Sequence, residues 1–119
     1  MTNWRAVGIG FLVIVIAGAL ATVAPVVGHI GAGIIGGLAA GYLAGGGLAN
    51  GAWHGLLAGS VAGVVLTVGF ALVAGLLGLA GGPLGGAVGF GGVLIGGAVV
   101  TVIFAVDSAL AGALGAVFA

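Results

Sequence analysis

Polar side chains are so sparse along this chain that they punctuate long apolar runs rather than alternate with them. The first run covers residues 4–24, opened by Trp4 and Arg5 and followed by Pro25. As a helix it rises about 31 Å, enough to cross a hydrocarbon core of about 30 Å. Pro25 is predicted to end it, because the residue before a proline avoids the α region. The run also resembles a signal peptide, with one basic residue, an apolar stretch and small residues at Ala19 and Ala21; the expectation is that it is retained as a span. The second run, 27–45, rises about 28 Å and carries His29 near its start and Tyr42 near its end. The link GGLAN follows, and Asn50 is predicted to N-cap a third helix over 51–79. That helix is long enough to need tilt. Beyond Trp53 and His54 at its entry, its only polar side chains are Ser60 and Thr67.

GGPLGG at 81–86 then breaks the chain. Residues 88–119 are apolar again, and as one helix they would rise about 48 Å, more than the core needs. Two alternatives follow. Either the stretch to Gly92 is loop and 93–118 spans, or the helix stops near Asp107 and Ser108. The predicted fold is all-α: an integral membrane protein of four transmembrane helices, about 4–24, 27–45, 51–79 and 93–118, in a single domain, 1–119. A membrane β-barrel would need alternating apolar and polar residues, whereas FLVIVI and VVTVIF are apolar on both faces.

Within this pattern the glycines are ordered. Gly33, Gly37, Gly41 and Gly45 fall at every fourth position, as do Gly51, Gly55, Gly59 and Gly63. Such a series lies along one helix face. The two series are symmetric about Leu48, so folding the chain there brings 41 level with 55 and 37 level with 59. The predicted unit is a central antiparallel hairpin, a glycine zipper, with its closest approaches at those two pairs. Small faces let backbones come close enough for dispersion contacts and weak Cα–H···O bonds. Packing within one chain is the first expectation and assembly between chains the second. Gly85, Gly89 and Gly97 give the fourth segment a small-residue row of its own.

Composition fixes the environment. Of 119 residues, 63% are hydrophobic and 2% charged, against about 25% charged in soluble domains. The chain could not keep a water-facing surface, and membrane lipids are its expected surroundings. Zero net charge leaves no basic patch for nucleic acid. Without cysteine there is no disulfide framework and no thiolate. Glycine costs a soluble helix about 1 kcal/mol against alanine; in lipid the backbone must pair internally, so a glycine-rich span stays helical. Arg5 alone informs the positive-inside rule and points both termini to the cytoplasm.

Candidate chemistry is thin. Trp4, Arg5, Tyr42, Trp53 and His54 suit the headgroup layer as interface anchors. Ser60, His54 and Asp107 form a triad only on paper, since Ser60 and His54 do not share a helix face. No catalysis is expected, and no cofactor. His29 and His54 fall at opposite membrane sides, so no metal site is expected. Asp107 is the lone acid, and an intramembrane carboxyl is a functional candidate by default. In hydrocarbon it would sit neutral, because desolvation penalises the anion. A reversal at Pro83 would place it level with Gly59, and one at Gly86 level with Val65. Ser60 and Thr67 are then its nearest polar partners, and the three make a candidate ion or proton site.

The run PVVGHIGAGIIGGLAAGYLAGGGLANGAWHGLLAGSVAGVV, with WRAVGIGF before it, resembles a family of small haloarchaeal membrane proteins of unknown function. The matching residues are Gly36, Gly37, Ala40, Gly41, Tyr42, Leu43, Gly45, Gly46, Gly51, His54 and Gly55, over about the first two thirds of the chain. The resemblance implies an archaeal source and a four-helix membrane fold, and it carries no site residue across. Two functions compete. One is a structural or assembly subunit, a homo-oligomer or part of a larger membrane or virion complex. The other is a small proton or ion conductor using Asp107, including a rotor-ring-like oligomer.

Overall fold

The computed structural model describes residues 1–21 and 25–119 of the chain. Helix α1 is Trp4–Leu20, α2 is Pro25–Ala44, α3 is Leu48–Gly78 and α4 is Gly82–Val117, with a 3-10 turn, Leu79–Gly81, between the last two. No strand occurs among the described residues. Two helical stretches are long and apolar enough to cross a membrane: Val27–Ala44, and the run Leu48–Val117 that reverses on itself. Helix α1, at 17 residues, is shorter.

Each boundary has a local cause. Asn3 N-caps α1, its Oδ1 accepting from the Ala6 N–H at 3.2 Å. The expected end of the first helix at Ala24 lies outside the described residues. Pro25 does not close a helix: it is the first residue of α2, where its missing N–H needs no intrahelical partner. Glycines 45, 46 and 47 carry φ of 58, 73 and 93°, a left-handed path that only glycine follows freely. Asn50 was expected to cap α3, yet α3 starts earlier, after Gly47. Its side-chain amide instead donates back to the Gly45 carbonyl at 2.8 Å, closing the end of α2.

The α3–α4 reversal is made by Gly82, at φ 88°, and not by Pro83, which sits in the first turn of α4. Helix α4 then runs unbroken for 36 residues, so neither sequence alternative holds. Its glycine-rich start is helix because the helix packs there against α3. A Cβ on Gly85 would fall on the Gly78 carbonyl, and one on Gly89 on the Ala74 carbonyl.

Successive helices alternate in direction, which makes α2 and α4 parallel. Helix α1 lies on α2 and α3, and its backbone does not approach that of α4 among the described residues. Gly10 of α1 sits against Ala40 and Gly36 of α2 and Ala58 of α3. Ile14, Ala40, Ala58, Ala62 and Phe104 form the core, with Phe11 at its edge. The lengths are unequal. Helices α1 and α2 rise about 26 and 30 Å, but α3 and α4 about 46 and 54 Å, in a molecule 52 Å long. The α3–α4 hairpin therefore projects past the other two.

Candidate functional site

The site is the junction where α2 and α3 both meet α4. The glycine rows are turned to α4 and not to each other, which corrects the expected pairing of 37 with 59 and 41 with 55. A Cβ on Gly41 would fall on the Gly112 carbonyl, and one on Gly37 on Ser108. From α3, a Cβ on Gly51 would meet Gly112 and Ala116, on Gly55 the Ser108 carbonyl, on Gly59 the Phe104 carbonyl at 2.6 Å, and on Gly63 Thr101 at 2.8 Å. Gly33 continues the α2 row, its Cβ position 2.8 Å from Asp107 Oδ2. Gly45 stands apart in the link, where a Cβ would meet Ala119 at 3.9 Å and no α4 helix backbone among the described residues. Periodicity marks a small face but not its neighbour, and here one helix serves both faces.

The α4 side of the junction was missed. Phe104, Ser108, Gly112 and Ala116 recur every fourth residue and are all buried. That spacing is present in the sequence, as is the row of Gly85, Gly89 and Gly97 at the other end of the helix. Those three do face α3, with Gly97 against Thr67.

Among the described residues, Asp107 Oδ2 and Ser108 Oγ end at this junction without a hydrogen bond. Ser108 is fully buried. The contacts 78 with 85, 67 with 97, 63 with 101 and 51 with 112 centre the reversal between residues 81 and 82. Asp107 therefore lies nearer the α3 entrance than either expected level. Thr67 is held elsewhere: it pairs with Thr101 at 3.2 Å, and Thr101 donates to the Gly97 carbonyl at 2.8 Å. Neither Ser60 nor Thr67 hydrogen-bonds Asp107 among the described residues. The expected Asp107, Ser60 and Thr67 group is not assembled.

His54 is also placed differently. It is fully buried, so its side chain is not at a headgroup surface. Its Nδ1–H donates to the Asn50 carbonyl and its Nε2 accepts from the Asn3 backbone N–H, both at 2.7 Å. Beside it, Trp53 Nε1–H donates to Thr2 Oγ1 at 3.1 Å. These bonds clasp the N-terminal segment to the start of α3. Both ring nitrogens are engaged, and no hydrogen bond links His54 to Ser60 or Asp107 among the described residues. Trp4, Tyr42 and Trp53 are exposed, and Arg5 also lies at the surface.

Below the junction, His29 sits edge-on to Phe104 with ring centroids 6.4 Å apart. It borders two apolar clefts of about 240 and 330 Å³ that share Leu66 and Phe70. Among the described residues no group of three His, Cys, Asp or Glu could hold a metal ion.

Small faces meeting backbone to backbone, with an apolar exterior, define a glycine-packed all-helical protein bearing candidate membrane spans. The chain belongs to a family of unknown function, DUF5518, matched over residues 4–118. No curated protein and no solved structure matches it.

Proposed function

We propose that this protein is a structural or assembly subunit of a membrane, crossing it four times and packing through small-residue faces in the manner of a glycine zipper. The archaeal cell membrane, or a membrane derived from it such as a virion envelope, is the proposed location, with both termini cytoplasmic. One observation carries the reading. At Gly37, Gly41, Gly51 and Gly55 a single added carbon would fall on α4, so the sequence is spent on close approach and not on a lined path or a reactive centre. Without a hydrophobic drive between helices in lipid, such contacts are what hold a bundle together. The proposed partners are lipids and further protein, as a homo-oligomer or a larger complex. Catalysis forms no part of the proposal. Purification from native membrane in mild detergent tests it: the chain is expected in an assembly larger than one copy, and a lone monomer would overturn the reading.

A second reading, a small proton or ion conductor, draws on the unbonded Asp107 Oδ2 beside Ser108. A rotor-ring-like oligomer is its specific form. Asp107→Asn keeps a hydrogen-bond donor but cannot release a proton. Under the structural reading Asp107→Asn leaves assembly and melting nearly unchanged, and wild-type liposomes show no proton flux above empty controls. Flux that is present in wild type and lost in Asp107→Asn would transfer the assignment to conduction.

A further inference from the structure

Protonation has no place in the clasp at the start of α3. A backbone N–H only donates and a carbonyl only accepts, so the two bonds to His54 fix the state of its ring. The Asn3 N–H needs a bare Nε2 and the Asn50 carbonyl needs a proton on Nδ1, each contact being 2.7 Å. One neutral tautomer meets both demands. An imidazolium carries a proton on both nitrogens, which would set Nε2–H against the Asn3 N–H with no acceptor between them. The ring is also fully buried, where a charge without a partner is costly. Around it, the charged and titratable groups are the Met1 amino group in the N-terminal segment, Arg5 on α1, His29 and Tyr42 on α2, and Asp107 and the Ala119 carboxyl on the α4 side. Among the described residues none of them ion-pairs or hydrogen-bonds the His54 ring, whose partners are Asn3 and Asn50. No bonded carboxylate compensates a charge there.

The other half of the clasp is free to leave. Asn3 is exposed, and the bond from the Ala6 N–H to its Oδ1 lies within its own helix end and does not involve His54. The segment's second tie to α3, Trp53 Nε1–H to Thr2 Oγ1, is exposed too. Residues 1–3 can therefore lift from His54 while α1 keeps its cap and the glycine faces stay packed.

We propose that the clasp is a proton-operated latch: it holds the N-terminal segment while His54 is neutral and releases it when His54 takes up a proton. The closed form binds one proton fewer than the open form, so closure is favoured at high pH and lost as pH falls. A free imidazole charges at about pH 6.5, and each pH unit below that shifts the balance about tenfold further towards release. Nitrogen-15 NMR of the whole chain in detergent micelles, from about pH 8 to about pH 5, tests it. The hydrogen-exchange protection of the Asn3 amide, corrected for the intrinsic pH dependence of exchange, is expected to fall at least about tenfold. That fall should share its midpoint with the His54 ring nitrogens, while amides inside α3 and α4 stay protected. His54→Gln offers one acceptor and one donor but does not titrate, so its Asn3 amide is expected to show no such fall. His29→Gln and Asp107→Asn are expected to keep the wild-type response. A ring that charges while the Asn3 amide stays protected would overturn the proposal, and this reading needs no variant to fold. A fall that persists in His54→Gln, or disappears in His29→Gln or Asp107→Asn, would overturn it as well, by assigning the proton to another group.

Discussion

At the residue scale the glycines of this chain are of two kinds, and their surroundings tell them apart. Gly8 and Gly31 are helical, but a Cβ there would meet nothing within 4 Å among the described residues. Gly41 and Gly55 would drive a methyl into α4 backbone. An added carbon in a filled contact costs about 1–3 kcal/mol, because helices must separate or side chains leave their rotamers. In open space it costs nothing and recovers up to about 1 kcal/mol of helix propensity. Gly41→Ala and Gly55→Ala are therefore expected to lower the melting temperature in detergent, and Gly8→Ala and Gly31→Ala to hold or raise it. Equal effects at all four sites would mean that α4 does not sit against the two rows.

At the element scale, the helices were legible and their partners were not. The i, i+4 glycine series identified α2 and α3 as helices with a small face. The symmetry of the two rows about Leu48 was then read as contact, although any two such rows joined by a short link are symmetric. Residues 104–116 lie some fifty positions away from the α3 row, and no local pattern assigns them as its partner. GGPLGG marked the reversal, but its proline suggested a turn where proline in fact begins a helix. Loop at the glycine-rich start of α4 was one of two ways to fit residues 88–119 into a core of about 30 Å, and a length argument does not see that the hairpin projects past the other helices. A cap at Asn50 and an anchor at His54 are what the sequence suggests, since it does not show that Asn3 folds back onto His54 or that Asn50 reaches back to the Gly45 carbonyl. That clasp carries its own consequence. His54→Ala would leave the Asn3 N–H unpaired, at a cost of about 1–3 kcal/mol if it stays buried. With Arg5 the only basic cleavage site, trypsin can cut at one place, two residues beyond the clasp. Cleavage after Arg5, followed by mass spectrometry, is expected to be several-fold faster in His54→Ala than in wild type. An unchanged rate would show that capping by Asn3 Oδ1 alone holds the segment.

At the scale of the whole molecule, the ends are unlike each other. Asn3, Asn50, Trp53 and His54 gather at one end, and Gly45 approaches Ala119 there. The other end is the apolar α3–α4 reversal, some 50 Å away along the long axis. If the chain crosses a membrane four times, the α2–α3 link and the C-terminus must share one face and the reversal must reach the other. Three exposed positions report on this: Leu48 at the link, Leu84 at the reversal and Ala119 at the C-terminus. As single cysteines in an otherwise cysteine-free chain, they can be labelled by a membrane-impermeant maleimide in vesicles of known sidedness. With Arg5 drawing the clasp end to the cytoplasm, Leu48→Cys and Ala119→Cys are expected to label in inverted vesicles and Leu84→Cys in right-side-out ones. The reverse assignment of all three would keep four spans and flip the orientation, showing that one arginine does not set it. Labelling of all three from one face would mean that the long hairpin enters and returns without crossing. The four-span reading would then fail.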